Sequence, residues 1–243
     1  ADRLAVEAAM EFARVATESV NVNNLFTVVL SGGSTPKRLY STLAGEPWRS
    51  KLPWSKMHFF WSDERQVPPD HPDSNYGLAH EALLSKVPVT TANIHRIRGE
   101  DNDPVQAAKS YEQDLHEFFH SAAAALPRFD LVLLGLGPDG HTASLFPATT
   151  ALSEREHLVV ANWVEKLNAW RLTLTLPILN NAANVMFLVS GPEKRDILRA
   201  VLEDSRTREY REYPAQLVQP TAGRLLWLVD NGAAASLGPV PRN

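Results

Sequence analysis

Three short stretches of this 243-residue chain bring together residue types that can hold an anion and move a proton. The richest is Gly135-Leu-Gly-Pro-Asp-Gly-His141, directly after the apolar run Leu131–Leu134. Its glycines let backbone approach a ligand closely. His141 exchanges a proton near neutral pH, and Asp139 can orient it or share a water with it. The alternative is a glycine-rich turn with an incidental histidine, but a loop leaving a buried strand favours function. The second stretch is Ser31-Gly-Gly-Ser-Thr-Pro36. Thr35 is expected to cap a helix whose first residue is Pro36, and the free amides and dipole of that helix would attract an anion. A tight turn with no ligand is the alternative. The loop fits neither GxxxxGK[ST] nor GxGxxG, so a nucleotide is not indicated. The third is Trp61-Ser-Asp-Glu-Arg65. Asp63, Glu64 and Arg65 could be catalytic, or could simply pair with each other as surface ions do. If Arg65 faces the glycine loop, it could instead clamp a phosphate with two parallel hydrogen bonds.

A fourth motif, His116-Glu-Phe-Phe-His120, fits the zinc-protease pattern H-E-x-x-H. The helix expected there buries Ala108, Tyr111, Leu115, Phe118, Phe119 and Ala122. His116 and His120 then point toward its flank and polar side, near Lys109 and Gln113. A catalytic zinc needs both histidines facing a cleft with a third ligand, so a solvated helix face is the better account and no metal is expected.

Composition narrows the classes further. Lys plus Arg is 24 and Asp plus Glu is 28, giving a net charge of -4. That balance gives no general pull toward nucleic acid or anionic membrane, so an anionic ligand must be gathered locally. With no cysteine, disulfides, thiolate metal sites and cysteine nucleophiles are excluded. The absence suits a reducing compartment, and a cytoplasmic protein is expected. No apolar run approaches the ~20 residues of a membrane helix. The first residues lack a signal-peptide pattern, and the chain does not begin with Met, so a few upstream residues are expected to be missing.

These loops need a scaffold. Leu25–Leu30, Met57–Trp61, Phe129–Leu134, Asn184–Val189 and Leu225–Val229 read as strands, with a short one near Ile94–Ile97. Helices are expected over the first twenty residues, Pro36–Leu43, from Asp73 or Ser74 to Ser85, over Pro104–Ala125 and over Pro192–Leu202, with a short one after Asp230. A short helix after His141 should stop at Pro147. Arg171–Leu176 alternates as a strand with one wet face would. Ser62–Pro72 and the charged segment Arg206–Pro214 read as exposed loop. Strands alternating with helices, several of them continuous apolar runs, predict an α/β protein: a Rossmann-like three-layer fold, mostly parallel, with a small antiparallel appendage. One domain over residues 1–243 is expected, with a monomer as the working expectation.

In this order, the stretches resemble the 6-phosphogluconolactonase family, which shares a fold superfamily with glucosamine-6-phosphate deaminase. The resemblance is carried by LSGGSTPKRLY (30–40), WSDERQVPPDHPDSNYGLA (61–79) and FDLVLLGLGPDGHTASLFP (129–147). RLTLTLPILNNAANVMFLVSGPEKRDIL (171–198) and PAQLVQPTAGRLLWLVD (214–230) match more weakly. It implies hydrolysis of 6-phosphoglucono-δ-lactone in the pentose phosphate pathway, with a small sugar-phosphate lactone as the partner and no cofactor. It also implies roles. Gly32, Gly33, Ser34 and Thr35 would cradle sugar and phosphate. Arg65 and Lys194 would hold the phosphate, with Arg171 a weaker candidate. Asn75 would bind substrate or shape its loop. His141 would be the general base with Asp139 beside it.

The deaminase branch is the alternative within that superfamily. It carries DEY where this chain has Asp63-Glu-Arg65. It also has a glutamate five residues after the histidine, where Phe146 stands here. Phenylalanine cannot move protons, so ring opening by that route is disfavoured. Asp63 stays ambiguous, because the deaminase uses that position as a base. A non-catalytic sugar-phosphate sensor would keep the cradle and lose the proton-transfer group, which the presence of Asp139 and His141 argues against.

Overall fold

The computed structural model describes residues 2–120, 126–203 and 213–238. The chain begins with α1 (Asp2–Asn23), β1 (Phe26–Leu30), α2 (Ser34–Leu43), α3 (Trp48–Lys51), β2 (Met57–Trp61), β3 (Asp63–Arg65), α4 (Asn75–Ala79) and α5 (Pro104–Phe118). It continues with β4 (Leu131–Leu134), β5 (Val159–Val164), β6 (Ala169–Leu174), α6 (Leu176–Asn180), β7 (Asn184–Val189), α7 (Arg195–Leu202), β8 (Arg224–Val229) and α8 (Asn231–Ala234). β2, β1, β4, β7 and β8, in that spatial order, form a parallel sheet. Counted along the chain, the order is 2-1-3-4-5, a Rossmann-like doubly wound sheet whose direction of growth reverses between β1 and β4. In such sheets the crevice at the reversal, beyond the carboxyl ends of the strands, is where ligands bind. Both predicted glycine loops leave those two strands.

The apolar strands form the centre because both of their faces are covered. Every residue of β1 and β4 is buried, as is usual for interior parallel strands. α1 lays Leu4, Ala8, Phe12 and Val15 on this core. Phe12 meets Phe26 edge-on with ring centroids 5.4 Å apart, and burying such a ring contributes about 2–3 kcal/mol.

β3, β6 and β5 make a separate antiparallel sheet, the expected appendage. Ser62 joins the two sheets: its N–H donates to the Leu30 carbonyl at 2.8 Å, and its carbonyl accepts from Leu174 N–H at 2.8 Å. Side chains of both sheets share one apolar cluster.

Several local expectations change. Asp63–Arg65 is strand, not loop, because it pairs with β6 through Arg65↔Arg171. The face of β6 expected to be wet is buried at Thr173: the strand lies between β3 and β5, and Leu172, Thr173 and Leu174 are all buried, while Ala169, Trp170 and Arg171 stay part-exposed. Thr173 tolerates burial because its hydroxyl donates to the Leu174 carbonyl and accepts from Ser144 N–H. Leu176 belongs to α6 rather than to that strand. Ile94–Ile97 makes only one parallel bridge, Phe59↔Ile94. No helix precedes Pro147; a turn closed by Leu145 N–H to the Thr142 carbonyl stands there. Ser74, rather than Asp73, caps α4, accepting from Gly77 N–H at 3.0 Å. Pro192–Lys194 is a tight 3₁₀ turn before α7. Of Arg206–Pro214, residues 206–212 lie outside the described residues, and Pro214 is buried.

α5 ends at Phe118, and His120, just beyond, adopts φ 48°. His116 and His120 are therefore not successive turns of one helix. Ala122 lies outside the described residues.

Candidate active site

A cleft of about 440 Å³ opens at the carboxyl ends of β1 and β4. Every residue given a site role in the resemblance lines it except Asp139, which contacts His141 and Lys166 of the lining. Four supports deliver these residues, one of them the start of α4, which carries Asn75. The β1 and β4 loops supply the glycines and His141. The small sheet supplies Asp63, Arg65 and Arg171. The turn before α7 supplies Lys194.

The first loop is shaped by its glycines. Gly33, at φ 108° and ψ 166°, is the residue that precedes α2, so the helix starts at Ser34 and Thr35 is not its cap. Only glycine enters that left-handed region without strain. The first intrahelical bond is Lys37 N–H to the Gly33 carbonyl, at 3.1 Å, so the amides of Ser34 and Thr35 precede the ladder, as an anion-binding helix start requires. Gly32 lies against Asn75: a Cβ there would fall 1.8 Å from Asn75 Oδ1. Tyr40 holds the strand end, its hydroxyl accepting from Ser31 N–H at 3.0 Å and donating to the Ser31 carbonyl at 2.7 Å.

The Asp-Glu-Arg triplet divides into separate tasks. Glu64 turns inward and accepts from Asn75 N–H at 2.7 Å, Tyr76 N–H at 2.8 Å and Ser74 Oγ at 3.1 Å. Burial pushes its carboxyl pKa up, while these amides oppose that rise. Glu64 thus anchors the start of α4 rather than pairing with Arg65. Asp63 accepts from Ser62 Oγ at 3.0 Å and Ser144 Oγ at 2.7 Å. Ser144 is therefore spent as a donor. Asn75 Nδ2 donates to the Asp63 carbonyl at 2.8 Å, and its buried Oδ1 has no hydrogen-bond partner.

Arg65 and Arg171 stand opposite each other across β3 and β6. Among the described residues, neither of them nor Lys194 forms an ion pair with a carboxylate. Arg65 donates to the Asp73 carbonyl, and Arg171 to the Trp170 carbonyl at 3.1 Å. Burial lowers the Arg171 pKa, and the neighbouring Arg65 lowers it further. Like charges placed directly across a strand pair destabilise a sheet.

The second loop presents His141. Its Nδ1 hydrogen-bonds Asp139 Oδ1, which also accepts from its backbone N–H at 3.3 Å. One ring face stacks on Phe146, centroids 4.1 Å apart. Burial pushes the His141 pKa down to about 4; Asp63 opposes this, while Lys194, Arg171 and Arg65 reinforce it. The imidazole is therefore neutral at pH 7. With its Nδ1 proton directed at Asp139, Nε2 carries a free lone pair. Gly137 leaves room for the ring: a Cβ there would stand 2.0 Å from His141 Nδ1. Gly137→Ala should lower turnover by about 10-fold or more, because small misplacements of a catalytic group are costly. An unchanged rate in a folded variant, checked by circular dichroism, would show that the ring position is not critical.

Lys166 is a charged cleft residue that the sequence reading missed. It sits in the turn between β5 and β6, and its ammonium pairs with Asp139 Oδ2. Nothing in its spacing marks it, since the hairpin itself was not expected. Among the described residues, no three His, Asp or Glu side chains gather as metal ligands, and no helix is long and apolar enough to cross a membrane.

Comparison with known proteins agrees with this geometry. The chain is 47% identical over 212 residues to the 6-phosphogluconolactonase of Nostoc sp., covering 87% of this chain and 85% of that protein. It is 44% identical over 223 residues to the 6-phosphogluconolactonase of Synechocystis sp., covering 92% and 89%. The 6-phosphogluconolactonase structure from Trypanosoma brucei superposes with a TM-score of 0.85 at 28% identity, covering 98% of this chain and 95% of that one. A monomeric glucosamine-6-phosphate deaminase, at 19% identity and a TM-score of 0.79, shares the fold. A family model described as glucosamine-6-phosphate isomerases/6-phosphogluconolactonase matches residues 1–227, so the chain belongs to that family.

Proposed function

We infer that the protein hydrolyses 6-phospho-D-glucono-1,5-lactone to 6-phosphogluconate, the lactone step of the oxidative pentose phosphate pathway. The observation that carries this reading is a neutral, carboxylate-held histidine sharing one cleft with three cations that form no ion pair with a carboxylate among the described residues. A δ-lactone is an activated ester, so the enzyme need only position it, deprotonate a water and steady the oxyanion. In this reading Arg65, Arg171 and Lys194 bind the phosphate together with the amides of Gly33, Ser34 and Thr35. Gly32 and Asn75 shape the sugar side, and Asp63 holds Ser144. His141 Nε2 takes a proton from water as the water oxygen attacks the lactone carbonyl. Asp139 holds the tautomer and stabilises the imidazolium that forms. Collapse of the tetrahedral adduct breaks the bond to the ring oxygen, and His141 returns the proton to that oxygen. No acyl-enzyme forms.

We propose that the enzyme works as a monomer with neither cofactor nor nucleic acid, and we place it in the cytoplasm with its phosphorylated substrate. The test is an acid-release assay on fresh 6-phosphogluconolactone, corrected for spontaneous hydrolysis, beside an ammonia-release assay on glucosamine 6-phosphate. Acid release alone is expected. Ammonia release alone would overturn the reading.

The pH profile gives a second test. An ordinary histidine loses its base form below 6.5, whereas this one keeps it until about 4. Lowering the pKa extends base activity toward acid pH. On unphosphorylated glucono-δ-lactone, whose own ionisation does not intrude, the acid limb of kcat/KM should lie well below 6.5. A bound phosphate offsets the cations that depress the histidine, so the kcat limb on the phosphorylated lactone should sit higher. A limb at or above 6.5 on glucono-δ-lactone would contradict a buried neutral base.

A further inference from the structure

One cation at the cleft has no part in the mechanism above. The turn joining β5 and β6 closes through Asn168 N–H to the Glu165 carbonyl at 2.9 Å, with Asn168 at φ 46°. Trp163 and Trp170 face each other across the hairpin, centroids 5.4 Å apart, and brace that turn. Lys166 projects from it into the cleft. Its ammonium meets Asp139 Oδ2, while Asp139 Oδ1 holds His141. The same ammonium stands 4.5 Å from the centre of the Phe146 ring, which stacks on His141. Lys166 thus touches two side chains that hold the imidazole, Asp139 and Phe146.

A carboxylate gripped through one oxygen can still turn about its Cβ–Cγ bond, a broad and weakly restrained torsion. A cation on the second oxygen fixes the plane of the carboxylate, and with it the tautomer and aim of the histidine. The ammonium over Phe146 adds a cation–π contact that steadies the surface on which the imidazole lies. Among the described residues Arg65, Arg171 and Lys194 have no carboxylate partner, whereas Lys166 pairs with Asp139, so its charge is committed to the base rather than to the phosphate.

We propose that Lys166 is a positioning residue for lactone hydrolysis, locking Asp139 and Phe146 against His141 from the β5–β6 turn. The proposal rests on His141 being the base. Lys166→Met preserves length and removes the charge at a half-exposed side chain. It should lower kcat about 10-fold on phosphorylated and unphosphorylated lactone alike, with KM within about twofold. Lys166→Arg should recover most of that loss. The acid limb on glucono-δ-lactone should move upward in Lys166→Met, because Asp139 without its cation stabilises the imidazolium more. In a His141→Ala background, Lys166→Met should add no further loss.

A KM increase confined to the phosphorylated lactone would overturn the proposal by making Lys166 a phosphate ligand. Unchanged kinetics would reduce the pair to an exposed ion pair. A full additional loss on top of His141→Ala would also overturn it. Each of these leaves the His141→Ala defect intact; wild-type turnover in His141→Ala alone would instead remove the base assignment, and this proposal with it.

Discussion

His141→Ala should reduce lactone turnover by about 10²-fold or more while changing KM by no more than about twofold. The expectation follows from where the imidazole sits. It is gripped at Nδ1 by Asp139 and stacked on Phe146, and neither contact binds an anion. Alanine therefore removes proton transfer without disturbing the cations that gather the substrate. The residual rate should come from positioning and from the intrinsic reactivity of the lactone. Asp139→Asn makes a sharper companion. An amide can donate to Nδ1, which would shift the histidine proton to Nε2 and leave no base facing the water. Its kcat should approach that of His141→Ala with the fold unchanged. Steady-state acid release, corrected for uncatalysed hydrolysis, decides both cases. Wild-type-like turnover in His141→Ala would rule out His141 as the base.

Arg65→Ala and Arg171→Ala should act on binding instead. Each should raise KM for the phosphorylated lactone by about 10- to 100-fold, the range implied by about 1.5–3 kcal/mol for a hydrogen bond to a charged group. Turnover at saturation should change far less. The same variants should handle unphosphorylated glucono-δ-lactone almost as the wild type does, and an equal loss on both substrates would sink the phosphate role. Stability supplies an independent check. The two arginines occupy opposite positions on β3 and β6, and Arg171 is held below its ordinary pKa by burial and by Arg65. Removing one relieves repulsion, so neither variant should melt below the wild type. Product 6-phosphogluconate should raise the melting temperature of the wild type more than that of either variant.

The sequence was legible where local chemistry decides structure. Continuous apolar runs became strands of the parallel sheet, β1 and β4 fully buried within it, and the glycines after those two strands form turns that line the cleft. The cleft accordingly gathers Gly32, Gly33, Arg65, His141 and Lys194 from positions far apart in the chain. The reading failed where pairing across space decides. Asp63–Arg65 has no intrinsic preference for strand and becomes one only because β6 lies beside it. Thr173 alternates like a surface residue and is buried because its hydroxyl finds partners on Leu174 and Ser144. Thr35 looked like a helix cap, yet the positive φ of Gly33 starts the helix at Ser34. Glu64 and Arg65 looked like an ion pair, yet Glu64 is taken by the amides of α4.

The sequence by itself determined the fold class, the two glycine loops, the histidine with its aspartate, and the need for local cations in a chain of net charge -4. These depend on residue type and near-neighbour spacing, which are properties of the chain. Only the tertiary structure decided that Arg65 stands opposite Arg171, that Glu64 is an anchor, and that Lys166 reaches Asp139 from a hairpin 27 residues away. Strand pairing and burial fix these contacts, and their energies depend on distances through space that sequence separation does not encode.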